Sequence, residues 1–297
     1  MKFIDLFSGI GGFRLGMEMA GHECVGHCEI DKFANRSYAA MHKPKRSEWY
    51  AEDIRTVEPW DLPEADCYCG GFPCQAFSVA GKRGGFEDTR GTLFFEIMRI
   101  ARVRKPKYLF LENVKGLLSH DGGRTFGTIL KALWECGYDA EWQMCNSKDF
   151  GVPQNRERVF VVGHLRGGCT GQVFPVTGEN SNVIKQFGNI RITTKRKNPS
   201  VGRVYAVDGL SPCLTTMRGG DQKPIIIIQS GKSKQDVDIR YITPRECFRL
   251  QGFPDEYFDR AAAVNSDSQL YKQAGNSVTV SVIYNIAKKL ERMEESK

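Results

Sequence analysis

Apolar positions in residues 1–165 alternate between short, largely apolar runs and stretches with helical spacing. Lys2–Leu6 is such a run and ends in a glycine-rich turn, and residues 13–20 then carry apolar side chains three and four apart. The pattern repeats: strands are expected at Glu23–Cys28, 65–69, 108–111 and 158–163, and helices at 34–41, 92–104 and 126–136. Pro106 marks the end of the third helix. Strands separated by helices predict a mostly parallel sheet covered on both faces. Near Arg166 the character changes, and the next hundred residues are richer in Gly, Thr, Asn and basic residues, with helical spacing only at 244–250. From Ser268 the first pattern returns, and 278–292 reads as a closing amphipathic helix. The expected fold is therefore α/β, a Rossmann-like, doubly wound, mostly parallel sheet. Residues 1–166 plus 268–297 form it, and a smaller strand-rich unit, 167–267, is inserted.

Composition narrows the class. The chain has 297 residues, 41% apolar and 26% charged, which excludes global disorder and coiled coil. No apolar run approaches the roughly 20 residues of a membrane-spanning helix. Asp5 interrupts the only N-terminal apolar stretch, so a secretory leader is not expected and a cytoplasmic protein is. The ten cysteines are scattered, so reduced thiols are expected. Their spacing does not fit a zinc site, and no metal is expected. The net charge is 42 − 35 = +7, and residues 185–203 hold six basic and no acidic residues. That stretch is either a solvated loop or a surface that meets phosphates.

Three groups of residues stand where strand ends would place chemistry. The first, Asp5 to Gly12, is glycine-rich but lacks the G-x-G-x-x-G spacing of a dinucleotide site. Glu29, closing the second strand, is placed to accept from ribose hydroxyls, and Asp53-Ile54 to bracket an adenine. A nucleoside without phosphates fits, S-adenosylmethionine being the common one; an ordinary turn is the plain alternative. The second, Gly71-Phe72-Pro73-Cys74-Gln75, puts a thiol on the loop after the third strand, where it is either a nucleophile or an inert small apolar residue. The third comprises Glu112-Asn113-Val114 and Gln154-Asn155-Arg156-Glu157-Arg158. A carboxyl at the end of a buried strand is costly unless used or paired, so Glu112 is either a proton donor or the partner of Arg158.

These groups, with Arg240-Tyr241-Ile242-Thr243-Pro244-Arg245-Glu246 and Gly275-Asn276-Ser277-Val278, occur in the order found in DNA (cytosine-5)-methyltransferases of the bacterial and phage restriction–modification type, and the chain resembles that family from Asp5 to Val278. The resemblance implies methyl transfer from S-adenosylmethionine, leaving S-adenosylhomocysteine, to C5 of a cytosine flipped out of duplex DNA. Cys74 would be the nucleophile, with Glu112, Arg158 and Arg156 completing the catalytic set. Phe7, Gly9, Gly11, Gly12, Glu29, Ile30, Asp53, Ile54, Pro73, Leu93, Asn276 and Ser277 would hold the cofactor. Residues 76–93 resemble the family's mobile loop. Gln75, Ser78, Lys82, Arg83, Arg90, Thr215, Thr216 and Arg218 would meet DNA, with recognition centred in about 167–229. A monomer without an accessory segment ahead of the first strand is expected, and a restriction endonuclease acting on the same site without a stable complex is a possible counterpart. A transfer-RNA cytosine-5 methyltransferase and a catalytically silent DNA-binding protein of this fold remain alternatives.

Overall fold

The computed structural model describes residues 1–73, 93–168, 171–178, 185–189, 203–206, 208–216, 223–229 and 237–295. Its first half runs β1 (Lys2–Leu6), α1 (Gly12–Met19), β2 (Glu23–Cys28), α2 (Lys32–His42), β3 (Trp49–Ala51), β4 (Cys67–Gly71), α3 (Leu93–Arg104), β5 (Tyr108–Val114), α4 (Arg124–Glu135), β6 (Tyr138–Asn146) and β7 (Glu157–Leu165). These strands form one sheet in the order β3-β2-β1-β4-β5-β7-β6. All neighbouring pairs from β3 to β5 are parallel, while β7 is antiparallel to both β5 and β6.

Alternation along the strands sorts side chains between two cores. Leu109 and Leu111 of β5 join Ile4, Leu6 and Tyr68 beneath Phe94 and Ile97 of α3 and Ile129 and Leu133 of α4. Tyr108 and Phe110 face the other way, with Phe3, Cys67 and Phe160, beneath Phe13 and Met17 of α1 and Ile283 and Ile286 of α8 (Val280–Glu295). The closing helix thus returns to the first sheet. It packs closely on α1 because position 16 is glycine: a Cβ there would lie 2.6 Å from Ile283 Cβ.

The expected mostly parallel α/β sheet is present, with three differences. The third expected strand starts later, at Cys67, and β3 and β6 were not anticipated. β6 forms the sheet edge and is only half-buried, so its polar residues break the apolar signal. β5 continues beyond the apolar run through Glu112 to Val114, because Gly71 of β4 and Arg158 of β7 keep pairing with it.

A second, four-stranded sheet has the order β11-β10-β9-β8, from β8 (Gln186–Asn189), β9 (Arg203–Ala206), β10 (Ile225–Gln229) and β11 (Val237–Tyr241). The smaller unit was expected to run to residue 267. Within those bounds, α5 (Pro244–Leu250) and α6 (Asp255–Ala262) share a buried cluster with Ile10, Leu15 and Met41 of the first unit and Tyr271 of α7 (Asp267–Asn276). Asn265, beyond α6, donates to Phe33 O and Ser37 Oγ of α2. Thr243 caps α5: its hydroxyl accepts from Glu246 N, and the Glu246 carboxylate accepts from Thr243 N, with Pro244 at the first helical position. This explains the Thr-Pro-Arg-Glu run locally. Among the described residues no helix is long and apolar enough to cross a membrane.

Candidate active site

The carboxyl ends of β1, β2, β4 and β5 open into one cleft of about 380 Å³. At one end the turn after β1 folds back sharply: Phe7, Gly9 and Gly11 all have positive φ, of 56°, 56° and 78°. A Cβ at position 11 would lie 2.2 Å from His42 Nε2, so glycine is required there by both backbone and space. Glu29 holds the turn. One of its oxygens accepts from Gly9 N at 2.7 Å and the other from Asp31 N at 2.7 Å. Burial pushes its carboxyl above the usual range. Ser8 Oγ, in the same turn, is buried without a partner among the described residues.

Of the residues expected to hold a cofactor, Phe7, Gly9, Glu29, Ile30, Pro73, Leu93 and Asn276 line the cleft. Ile30 is 66% exposed at the cleft. Gly11, Gly12, Asp53, Ile54 and Ser277 do not line it. Gly12 lies close to Ser277 and Val278, Ile54 is buried in the core, and the Asp53 carboxylate is held by the Arg55 guanidinium. The sequence reading missed Lys272 and named Asn113 only within the Glu112-Asn113-Val114 group, without a role. Lys272 of α7 pairs with Asp31 across the cleft wall, a contact no local pattern announces. Asn113 donates to Phe72 O at 2.9 Å and so fixes the chain just before Cys74.

At the other end stands Glu112. It is buried on β5, and Arg158 Nε donates to its Oε1 at 2.9 Å. Gly71 on the neighbouring strand leaves the room: a Cβ there would lie 2.9 Å from Glu112 Oε2. Burial raises the Glu112 carboxyl above its ordinary value, and Arg158 and Arg156 oppose the rise without cancelling it. The group is therefore a carboxyl that binds a proton more readily than usual, beside a fixed positive charge.

Arg156, counted with the catalytic set from the sequence, has a different engagement. Its guanidinium donates to Leu214 O at 3.2 Å, Gly275 O at 3.2 Å and Ser277 O at 2.6 Å. Burial lowers it to about 10, which still leaves it charged at neutral pH. Thr215 and Thr216 lie beside α7: a Cβ on Gly275 would meet Thr215 O at 2.0 Å and Thr216 N at 2.9 Å. Cys74, Gln75, Ser78, Lys82, Arg83, Arg90 and Arg218 lie outside the described residues.

The sequence profile of C-5 cytosine-specific DNA methylases matches residues 1–190 and 179–292. The type II methyltransferase M.HpaII of Haemophilus parainfluenzae is 41% identical over 327 aligned positions, spanning 97% of this chain and 88% of that protein. The type II methyltransferase M1.ScrFI of Lactococcus lactis subsp. cremoris is 40% identical over 322 positions, spanning 100% and 79%. In three dimensions the chain resembles the Dnmt2 methyltransferase of S. pombe, with a TM-score of 0.73 at 21% identity, covering 98% of this chain and 99% of that one.

Proposed function

Because the chain belongs to the C-5 cytosine-specific DNA methylase family, we propose that its cleft carries out methyl transfer to C5 of a cytosine flipped from duplex DNA, with Cys74, Glu112 and Arg158 as the catalytic residues. The observation that carries this reading is the buried carboxyl of Glu112, raised above its ordinary value and held by Arg158, in a cleft that Glu29 also lines. C5 of cytosine is a poor nucleophile. The Cys74 thiolate adds to C6, and the electron pair moves through the ring so that C5 can attack. Glu112 holds or delivers a proton at N3 as charge develops there, and Arg158 stabilises O2. After transfer the C5 proton leaves, the C6–S bond breaks, and the thiolate is regenerated. The target carbon is shielded in a stacked duplex, which is why the base must leave the helix.

The family implies S-adenosylmethionine as methyl source. The residues present fit it: an acidic acceptor at Glu29, a wall for a planar base from Ile30 and Leu93, and the Ser8 hydroxyl, unpartnered among the described residues, in a turn where the backbone approaches closely. When bound, it supplies a methyl carbon on a sulfonium. Glu29 is placed to accept from the ribose hydroxyls while keeping Gly9 and Asp31 in position. Replacing it by alanine removes both functions, so cofactor binding should weaken by roughly 1.5–3 kcal/mol or more, since hydrogen bonds to charged groups carry that much. Calorimetry with S-adenosylhomocysteine checks this, and unchanged affinity would remove Glu29 from the site.

Sequence recognition is assigned to the smaller unit, with its inner boundary drawn ahead of α5 and specificity residues in about 167–229. The protein acts as a monomer on double-stranded DNA in the cytoplasm, and a restriction endonuclease of the same specificity would act on the same site independently. Transfer of tritiated methyl groups to duplex DNA but not to RNA is the expected result. A duplex carrying 5-fluorocytosine should trap a covalent complex through Cys74, because fluorine blocks the final elimination. Methylation of RNA alone would replace the DNA reading, and no methylation of either would leave a binding protein.

A further inference from the structure

Two neighbouring buried side chains, Gln154 and Arg156, each tie separate segments together. The backbone of Leu214 is gripped from both sides: its N–H donates to Gln154 Oε1 at 3.1 Å, and its carbonyl accepts from Arg156 at 3.2 Å. Asn155 N also donates to Ser211 O, and Ser211 N to Pro153 O. The same Arg156 guanidinium takes Gly275 O and Ser277 O, which flank Asn276 in the cleft wall. Gly275 completes the joint, because the Thr215 carbonyl occupies the place its side chain would fill. Arg156 is 2% exposed. Its two terminal nitrogens donate to the three carbonyls, and one of them also to Cys213 Sγ at 3.5 Å, all groups of this chain. A group buried this deeply at such cost is retained for what it positions.

Resting on the function proposed above, we infer that Arg156 is a positioning residue that couples occupancy of the cofactor cleft to the orientation of residues 211–216, which include Thr215 and Thr216, two of the residues expected to meet DNA. The two lie on opposite sides of one guanidinium. A ligand that fixes Asn276 thereby fixes the carbonyls on either side of it, and through Arg156 it fixes Leu214. Such coupling is reciprocal, so DNA must tighten cofactor binding by the same factor. Arginine is needed because a planar fork reaches several carbonyls at once, which an ammonium on a flexible stem does not.

The test is a binding cycle on the whole protein. Duplex DNA carrying its site, located by bisulfite sequencing, is titrated with and without S-adenosylhomocysteine, and the ratio of the two dissociation constants is the coupling factor. For the unaltered chain a factor of about ten is expected. In Arg156→Lys it should fall below about two. Gly275→Ala, which pushes the Thr215 carbonyl away from the other side, should lower it in the same way, and it decides alone if Arg156→Lys does not fold. Circular dichroism establishes folding. A factor that stays near the unaltered value in the folded variants overturns the inference, as does a factor near one in the unaltered chain. If the unaltered chain transfers no methyl group to DNA, the function itself has failed and takes the inference with it. If it does transfer and the variants remain coupled, only the inference has failed.

Discussion

Replacing Cys74 by serine is expected to lower the single-turnover rate of methyl transfer by more than about a hundredfold, as losses of a covalent nucleophile typically do. DNA and cofactor binding should change little. A serine hydroxyl is hardly ionised near neutral pH, whereas a thiol keeps a few per cent of the intrinsically more reactive thiolate. The structure prepares the approach to this residue. β4 delivers the chain to Gly71, and Asn113, at the end of β5, holds the Phe72 carbonyl. The stretch just before Cys74 is thus anchored to the strand that bears Glu112. Among the described cysteines, Cys24, Cys28, Cys67, Cys69, Cys136, Cys145 and Cys247 are all buried. Burial pushes the thiols of Cys24, Cys28, Cys145 and Cys247 up to about 12 and leaves them inert. Quench-flow measurement on duplex DNA reads the loss. A serine variant that kept more than about a hundredth of the rate would end the covalent mechanism.

Much of this architecture can be read in the sequence because its strands are buried on both faces. β5 opens on an unbroken apolar run, Tyr108 to Leu111, and β1 carries one interrupted by Asp5. The chemistry at strand ends follows from the same pattern: Glu29 and Glu112 are acids where an apolar run stops. What escaped the reading depends on partners distant in sequence. β6 shows no clean alternation because only its ends bury fully against the sheet. Arg156 looks catalytic beside Arg158, yet strand pairing turns Arg158 toward Glu112 while Arg156, just before β7, reaches backbone carbonyls about 60 to 120 positions away. A carbonyl acceptor has no residue type, so no motif can reveal it. The requirement for glycine at 275 has the same origin, since it is set by the Thr215 backbone. The Asp53 carboxylate likewise has a partner that its role as a strand-end acid does not announce, the Arg55 guanidinium two residues on.

Glu112→Gln separates the two roles the sequence left open for this carboxyl, and the expected outcome is a rate lower by about 10²–10⁴, the usual contribution of a positioned proton donor. The amide keeps the shape and can still accept from Arg158, so the pair's structural role survives. It cannot deliver a proton to N3. The pH profile makes the distinction sharper. Burial raises the Glu112 carboxyl above its ordinary value of 4.5, so the protonated, donating form persists to higher pH than in an exposed glutamate. The unaltered enzyme should lose rate as pH rises through that raised value, and the amide variant should lack that limb. Stability follows the same sign. Between 4.5 and the raised value the folded chain binds more protons than the unfolded one, so this carboxyl's contribution to stability declines as pH rises and is fully present only below 4.5. The variant's melting temperature should therefore be less sensitive to pH across that window. Single-turnover rates and melting curves over the same pH series measure both. A glutamine variant retaining more than about a tenth of the rate, with the alkaline limb intact, would make Glu112 only the partner of Arg158 and return the proton at N3 to solvent.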